Sequence, residues 1–497
     1  MRNLTASFFY FAARVFAAIL QLRLVTKFFG GQYAGLSALL NQLSFYVAMI
    51  ELGLAASAIS LLYAPIKAGD HEQTSGLLFA LQKDTRKLMV GAAPVIAMLV
   101  LGYARHVHST LPASIVLATF TLTAVSGFVS LLAIHYQAYL NASEQMFKVH
   151  LVLGCGHLTK TAVGVAIAAV TGHYLWLPAT IATVSAAEVL AMRSGFHRGF
   201  RAYTPRAVRE AFTLLRSRAK YVLFHRIGGL VYYQSDFIIL SLTATLITVK
   251  QYAEVQYLIA GILGLFSAVF SALCASIARR QLNVSSEVRW RQYRAVAQAT
   301  YVLSCAVSLA FFFAAPDVLQ LLFHEEPASM RTMILFGCLL LLNLIRTVDD
   351  TYVTATGAFD VGFYLPVLEG PIYIGLGIVL SRRIGMDGVI WAGIVTNLIF
   401  AVVAKTAVVA YGVLFQPLWR FIRLRLWNAV VAAVAAAPLL AVNLWAARFS
   451  GHAAMHLALI AFAAIIYGGG VALLLVRHGF AEHAAAMTNG SISREAA

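Results

Sequence analysis

Long apolar runs dominate the sequence and constrain its fold more than any other feature. A helix that crosses the hydrocarbon core of a bilayer needs about 20 mostly apolar residues, and fourteen such segments follow one another along the chain. They span approximately residues 8–28, 35–62, 87–104, 113–135, 147–170, 175–193, 219–244, 253–278, 297–315, 332–356, 360–381, 388–411, 427–447 and 454–476. Because the runs are continuous and do not alternate every second residue, they predict transmembrane helices and not a transmembrane β-barrel.

Composition leads to the same fold class. The chain of 497 residues is 61% hydrophobic and only 11% charged. A water-soluble protein of this length needs far more charged surface, so the excess apolar surface must face lipid. The predicted fold is therefore an all-α integral membrane protein with fourteen transmembrane helices.

The distribution of lysine and arginine among the loops predicts the orientation. Twenty-four of these residues fall on the side of the N-terminus and six on the opposite side, while the remaining seven lie within spans. Cytoplasmic loops of membrane proteins carry the excess of basic residues. Both termini are therefore predicted to be cytoplasmic.

Two pairs of matching segments suggest that a six-helix unit occurs twice. Gln32–Ala34 opens the second span and Gln251–Ala253 opens the eighth, while Gly172 and Gly385 precede the sixth and the twelfth. An even number of spans gives both copies the same orientation, so an axis along the membrane normal would relate the two lobes. The predicted domains are a first lobe at 1–193, a basic cytoplasmic linker at 194–218, a second lobe at 219–412, an accessory helix pair at 413–476 and a cytoplasmic tail at 477–497.

The formal net charge of +17 lies mainly in these loops. Val208, Ala211, Phe212 and Leu215 recur at helical spacing among arginines, which predicts a helix lying on the anionic membrane surface. The segment 417–427, with three arginines and flanking tryptophans, predicts a second surface helix. No basic domain with interleaved aromatic residues occurs, so a nucleic-acid partner is not expected.

Sequence patterns of enzymes are missing. The chain has no G-x-x-x-x-G-K-[ST] phosphate loop, no H-E-x-x-H and no G-x-S-x-G. Its four cysteines lie within or beside apolar spans and lack the spacing of zinc ligands. The sequence therefore predicts no catalytic residue, no metal site and no cofactor.

Basic residues at bilayer depth are the first candidate site residues, because an unpaired charge in hydrocarbon costs roughly 2.5 kcal/mol or more. In the first lobe Arg14, Arg23 and Lys160 stand against one acid, Glu51, and Lys27 lies one turn from Arg23 on the same helix face. Arg14 lies on the opposite face from Arg23. Guanidinium groups bind phosphate oxygens in bidentate fashion, so this cationic set suits a substrate that carries phosphates.

The other ionisable residues within spans divide into two groups. Asp236 and Glu369 lie in the second lobe with no opposite charge at helical spacing. Arg346, Asp349 and Asp350, spaced i, i+3, i+4, can neutralise one another on one helix, so a structural role and a functional role are equally open. Glu188 lies close enough to a span end to reach the membrane interface, and the role of Lys405 is open.

Several segments resemble those of a known transporter family. Phe28–Gly35 leads into a span that contains Glu51–Ser57, similar to the lobe-opening G-x-x-x-[YF]-G and D-x-G-[LI] of bacterial polysaccharide flippases. Asp236–Leu240 followed by Gln251–Ala253 resembles the opening of their second lobe, and Gly385–Val389 resembles their G-x-x-G-[VA]. The resemblance covers residues 1 to about 412, and 413–476 matches the extra helix pair of some members. Glu51 stands where aspartate is usual, which keeps the charge.

This family belongs to the multidrug/oligosaccharidyl-lipid/polysaccharide exporter superfamily. The resemblance implies two six-helix lobes around a cationic cavity in the bacterial inner membrane, open alternately to either side. It implies an undecaprenyl-pyrophosphate-linked oligosaccharide as substrate, and a polysaccharide polymerase and glycosyltransferases as partners besides membrane lipids. The pyrophosphate would be bound by Arg14, Arg23, Lys27 and Lys160, and the coupling cation or proton by Glu51, Asp236 and Glu369.

Three other functions are compatible with the pattern to different degrees. A lipid II flippase is a close relative that the sequence does not distinguish. A cation-coupled multidrug exporter predicts acidic cavity residues, which the cations of the first lobe oppose. A membrane-embedded glycan polymerase or ligase usually presents a large outer loop, whereas the longest outer loop predicted here is 316–331.

Overall fold

The structure is a computed structural model that describes residues 2–48, 52–194, 208–215, 231–232, 234–280, 285–324, 328–356, 362, 364–446 and 470. Every regular element in these residues is helical. The chain forms two compact units, one of Met1–Gly261 with Phe363–Val389 and one of Ile262–Gly362 with Ile390–Ala497. These bounds differ from the predicted lobes 1–193 and 219–412, which stay a prediction.

Fifteen helices in the described residues position the candidate sites. They are α1 (Arg2–Phe29), α2 (Gly31–Ala48), α3 (Leu52–Ala68), α4 (His71–His106), α5 (Ala113–Leu131), α6 (Ile134–Ala142), α7 (Met146–Thr171), α8 (Trp176–Ser194), α9 (Asp236–Thr243), α10 (Leu246–Arg280), α11 (Ser286–Phe323), α12 (Met330–Thr356), α13 (Tyr364–Ile384), α14 (Met386–Val413) and α15 (Leu418–Ala446). The first unit holds α1 to α9 and α13, and the second holds α11, α12, α15 and most of α14. The division between the units falls within α10, after Gly261.

Ten of these helices are long and apolar enough to cross a membrane, which confirms a multi-pass helical membrane protein. They are α1, α4, α5, α7 and α10 to α15. Of the other predicted spans, 35–62 is divided between α2 and α3, and 175–193 corresponds to α8. Half of 219–244 and nearly all of 454–476 lie outside the described residues, so the count of fourteen stays a prediction.

Two helices are much longer than a bilayer span. At 1.5 Å per residue, the 36 residues of α4 and the 38 residues of α11 extend over about 55 Å, against about 30 Å of hydrocarbon. Both begin with a capping side chain: Asp70 accepts a hydrogen bond from the Gln73 amide at 2.9 Å, and Ser285 accepts one from the Val288 amide at 3.5 Å. The predicted spans 87–104 and 297–315 therefore cover only the most apolar parts of these helices.

Two pairs of helix ends have similar residues or backbone conformations, while the predicted repeat stays a prediction. Glu72 lies in the first turn of α4 as Glu287 lies in the first turn of α11, each two residues after the capping residue. Gly172 and Gly385, which follow α7 and α13, both have a positive φ, of 70° and 63°. Glycine adopts this left-handed conformation without a steric penalty, which explains its use at both helix ends.

The linker contains a helix, but its apolar face is covered by protein. Residues 208–215 are helical, and Ala211 and Leu215 belong to a core cluster that also contains Leu77 and Leu81 of α4. The ammonium groups of Lys83 and Lys87 lie 5.7 and 5.9 Å from the ring centroid of Phe212. The apolar stripe therefore packs on α4, and the predicted contact with the membrane surface is not made by these side chains.

Candidate functional site

Close packing of α1 on α7 positions the first group of candidate residues. Ala6, Ala13 and Ala17 of α1 are buried, and a Cβ on Gly154 of α7 would lie only 2.7 Å from the Phe9 ring. Small residues at a helix interface let the two backbones approach closely, as is common within membranes. The polar side chains of α1 and α7 are consequently brought together within the membrane.

Arg14 lies at the centre of a polar cluster in the first unit. It is half-buried on α1 and acts electrostatically on His157 of α7, as Lys160 also does, and on Tyr257 of α10. The Tyr257 hydroxyl is 3.5 Å from the Asn41 amide nitrogen of α2. Two predicted substrate-binding cations, Arg14 and Lys160, thus both act electrostatically on His157.

Lys160 forms an ion pair with Glu188, an acid that the sequence predicts to reach the membrane interface. Its ammonium nitrogen lies 2.8 Å from a carboxylate oxygen of Glu188 on α8, and the two side chains are 14% and 7% exposed. A Cβ on Gly156 would overlap the other carboxylate oxygen of Glu188, so the glycine makes room for the pair. Glu188 therefore does not reach the interface but forms a buried ion pair between α7 and α8.

The remaining cations of the first lobe lie further along α1. Arg23 is half-buried, and it follows Arg14 by about 13 Å along the helix axis. Lys27 is exposed near the end of α1, with its ammonium group 5.7 Å from the centroid of the Phe28 ring. Glu51 lies outside the described residues, so the predicted acid of this lobe cannot be placed.

Charge is unevenly distributed among the helices around Arg14. In α1, α2, α5, α7 and α8, all of them described, Glu188 is the single acidic residue. The same helices carry Arg14, Arg23 and Lys160 well inside their ends. This group of helices therefore has an excess of positive charge at bilayer depth.

Asp236 lies in a buried cage of tyrosines in the first unit. It occupies the first turn of α9, where the helix dipole favours a negative charge. The Tyr252 hydroxyl of α10 donates a hydrogen bond to it at 2.5 Å, and the Tyr373 hydroxyl of α13 donates a second one to its other oxygen. Neighbouring Ser235 is bonded to the Tyr46 hydroxyl of α2 at 2.7 Å.

Glu369 belongs to the same helix interface as Asp236. It is 1% exposed and lies one turn before Tyr373 on α13, a helix that packs on α9. A Cβ on Gly377 would lie 2.7 Å from Ile239, so a glycine sets the close approach of these two helices. Two of the predicted ion-coupling acids thus lie along one interface of the first unit.

The second unit contains a larger charge network on α12, α14 and α15. Arg346 lies 3.5 Å from Asp350, as its i, i+4 spacing predicted, and Lys405 of α14 forms an ion pair with the same carboxylate. Asp349 forms an ion pair with Arg425 of α15. Among the described residues, the network thus contains three basic side chains and two acidic ones.

Tyrosine and asparagine side chains extend this network. The Tyr293 hydroxyl donates to Asp349 at 2.6 Å, and Arg425 donates to the Tyr301 hydroxyl at 3.2 Å. Arg425 was predicted to lie on a surface helix at 417–427, and the structure instead buries it against Asp349. Its partner is 76 residues away in sequence, so no local spacing could have revealed the pair.

Lys405 lies between two stretches of π-helix in α14, Asn397–Ala404 and Val409–Val413. Asn397, at the start of the first stretch, donates a hydrogen bond to Asn343 of α12 at 3.1 Å. Stretches of π-helix cost stability and occur frequently at functional sites. The sequence alone leaves the role of Lys405 open. The π-helix on both sides of Lys405 marks this residue as a candidate functional residue.

The fold defined by these helices is similar to that of several solved membrane transporters. A lipid II flippase, MurJ, in an inward closed conformation is similar with a TM-score of 0.67 and 12% identity, over 95% of this chain and 99% of that one. A multidrug resistance transporter of the MATE family in an inward-facing conformation is also similar, with a TM-score of 0.62 and 13% identity, over 80% of this chain and 95% of that one.

A third similar structure is a superfamily member from Pyrococcus furiosus, described as having a binding pocket of reverse polarity. Its TM-score is 0.56 at 11% identity, over 84% of this chain and 96% of that one. The sequence matches no protein-family model and no curated protein. At these identities the likeness establishes the fold, and the function must be argued from the residues.

Proposed function

We propose that this protein is a flippase that moves an undecaprenyl-pyrophosphate-linked oligosaccharide from the cytoplasmic to the periplasmic leaflet. The proposal depends on one observation: the excess of basic over acidic side chains at bilayer depth in α1, α2, α5, α7 and α8. Charged side chains at this depth are costly in lipid, so they usually have a function. A pyrophosphate is negatively charged, so it would be attracted to a group of helices in which basic side chains outnumber acidic ones.

The proposed roles of the four basic residues differ with their burial and their partners. Arg14 and Arg23 present guanidinium groups that suit phosphate oxygens. Lys160 keeps its ion pair with Glu188 and donates a further ammonium N–H to the pyrophosphate, and exposed Lys27 attracts the substrate at the end of α1. A substrate that binds these groups more tightly in one conformation shifts the balance between the inward-open and outward-open states.

Asp236 and Glu369, together with Glu51, are proposed to bind the coupling proton or cation. The contacts of Asp236 within the described residues are tyrosine hydroxyls, so a proton or metal cation would neutralise a carboxylate that has no basic neighbour there. Alternating access would arise from rocking of the lobes 1–193 and 219–411. A polysaccharide polymerase and glycosyltransferases would act before and after this step.

A second candidate, flipping of lipid II, is favoured by the extent of the likeness to MurJ, which covers 95% of this chain. Lipid-linked substrates of both kinds present phosphates, so the same cations would serve either. Export of cationic drugs is disfavoured because basic side chains outnumber acidic ones in α1, α2, α5, α7 and α8. A glycan polymerase is disfavoured because the similar structures are transporters and a flippase.

The test uses purified protein in vesicles loaded on one leaflet with a lipid-linked oligosaccharide, lipid II or a fluorescent cationic drug. Transfer is measured as the fraction that becomes accessible to a membrane-impermeant glycan-modifying enzyme, or as dye efflux. The wild-type protein is expected to transfer the oligosaccharide. Arg14→Gln and Arg23→Gln should each slow transfer by roughly tenfold or more, the loss expected for a charge-assisted hydrogen bond.

Arg2→Gln is the matched control, because Arg2 is exposed at the first turn of the same helix. It should transfer substrate at the wild-type rate. Transfer of lipid II alone would replace the first candidate by the second. Drug efflux that survives Arg14→Gln, with no transfer of either lipid, would refute a phosphate-binding role for these cations.

A further inference from the structure

A second basic site lies at the far ends of α4, α9 and α13 in the first unit. A cavity of about 700 Å³ is lined there by side chains of two kinds. Arg105, His106, His108 and Arg382 form its basic part, and all four are exposed. Neither the proposed substrate site nor the tyrosine cage of Asp236 includes any of these residues.

Apolar side chains form the rest of the wall. Met98, Leu99, Val107 and Leu242 line the cavity, together with Tyr103. Met98 and Leu99 are 66% and 64% exposed, although they belong to the apolar half of a membrane-spanning helix. This side of the cavity therefore continues into the lipid-facing surface of α4, while the basic side lies at the helix ends, where the hydrocarbon core gives way to headgroups.

Hydrogen bonds hold the three helix ends together. The His108 amide donates to the Ser241 carbonyl at 3.3 Å, and the Tyr103 hydroxyl is bonded to the Ser241 hydroxyl. Thr243 and Ser381 join α9 to α13 through their hydroxyls at 2.7 Å. The cavity is thus formed before any ligand arrives, and a ligand need not order its walls.

The arrangement specifies the ligand class. Acyl chains fit an apolar wall that opens to lipid, and a phosphate fits arginine side chains at headgroup level. None of the described residues that line the cavity is acidic, so a negative headgroup meets complementary or neutral groups there. A zwitterionic headgroup would bring a cation against the same arginines.

We propose that this cavity binds the headgroup of one anionic phospholipid of the surrounding leaflet, with its acyl chains along the exposed face of α4. The loop charges predict that the three helix ends lie on the periplasmic side. This site is separate from the proposed substrate cations on α1 and α7, and it does not require that the protein be a flippase. Its occupancy would link the anionic lipid content of that leaflet to the contact between the end of α4 and α9.

The test is native mass spectrometry of the purified protein titrated with phosphatidylglycerol and with phosphatidylcholine of the same acyl chains. The wild type should retain one phosphatidylglycerol more tightly than phosphatidylcholine. The double variant Arg105→Gln/Arg382→Gln should weaken phosphatidylglycerol binding by about thirtyfold, since each basic side chain near anionic lipid contributes about fivefold. Arg105→Lys/Arg382→Lys keeps the charges and should restore most of the binding.

Arg2→Gln/Arg193→Gln is the matched control, because it removes two exposed arginines from helices that do not line the cavity. It should leave the tight phosphatidylglycerol unchanged. Leu242→Trp, which fills the cavity without altering charge, should displace the lipid and covers the case in which the arginine variants misfold. Equal retention of both lipids, or full retention by the Gln double variant, would overturn the proposal. So would a cavity that takes a polyprenyl pyrophosphate and no phospholipid.

Discussion

Asp236 in the first unit and Asp349 in the second are both buried aspartates on membrane helices, and their partners differ in charge. Each accepts a hydrogen bond from a tyrosine hydroxyl, at 2.5 Å from Tyr252 and at 2.6 Å from Tyr293. The second partner of Asp349 is a cation, Arg425, whereas the second partner of Asp236 is another neutral tyrosine.

This difference in partners predicts that one aspartate has a structural role and that the other can exchange a proton or a cation. A buried ion pair holds both members in place, because removing either leaves the other charged and unpaired. A buried carboxylate whose side-chain partners in the described residues are hydroxyls is stabilised when it takes up a proton or a metal cation. Asp349 is therefore suited to anchor α15 on α12, and Asp236 is suited to bind and release a cation.

The largest expected effect comes from breaking the ion pair of Asp349. Asp349→Asn should lower the free energy of unfolding by about 3–5 kcal/mol, because Arg425 would keep its charge in a buried site. Thermal unfolding of the purified protein in detergent measures the loss. The double variant Asp349→Leu/Arg425→Leu should recover much of it, since no unpaired charge remains. If the free energy of unfolding fell equally in both variants, the pair would stabilise the protein through packing and hydrogen bonds and not through its charges.

The two tyrosines sharpen the comparison with a smaller effect. Tyr373→Phe should cost about 1.5–3 kcal/mol, because Asp236 loses a donor and gains no cation in exchange. Tyr293→Phe should cost about 1 kcal/mol, because Arg425 still neutralises Asp349. Unfolding of the two variants under identical conditions gives the difference. A larger loss for Tyr293→Phe would contradict the distinction between the two aspartates.

Sequence reasoning could predict the part of this picture that depends on local spacing. Ten predicted spans coincide with helices long enough to cross a bilayer, since continuous apolar length is a local property. The pairing of Arg346 with Asp350 also follows from their spacing of four residues. The extent of α4 and α11 was underestimated, because hydropathy detects the lipid-embedded part and not the helix that continues into water.

Features that depend on tertiary packing could not be predicted in this way. The partners of Asp236 lie 16 and 137 residues away, and Lys160 and Glu188 are 28 residues apart. The stretches of π-helix around Lys405 have no known sequence signal in a uniformly apolar run. The one signal that was overlooked is Gly156, a small residue one turn before Lys160, whose missing side chain admits Glu188.

The smallest effect on stability should come from Asp236→Asn, and it tests the functional half of the comparison. Asparagine is nearly isosteric and can bond both tyrosine hydroxyls, so the free energy of unfolding should change by no more than about 1 kcal/mol. Substrate transfer in vesicles should nevertheless lose its response to an imposed proton or sodium gradient, because asparagine cannot exchange a cation. Asp70→Asn is the control, since asparagine also caps a helix and Asp70 is exposed at the start of α4. A variant at Asp236 that unfolds as readily as Asp349→Asn, or that still responds to the gradient, would place the two aspartates in the same structural class.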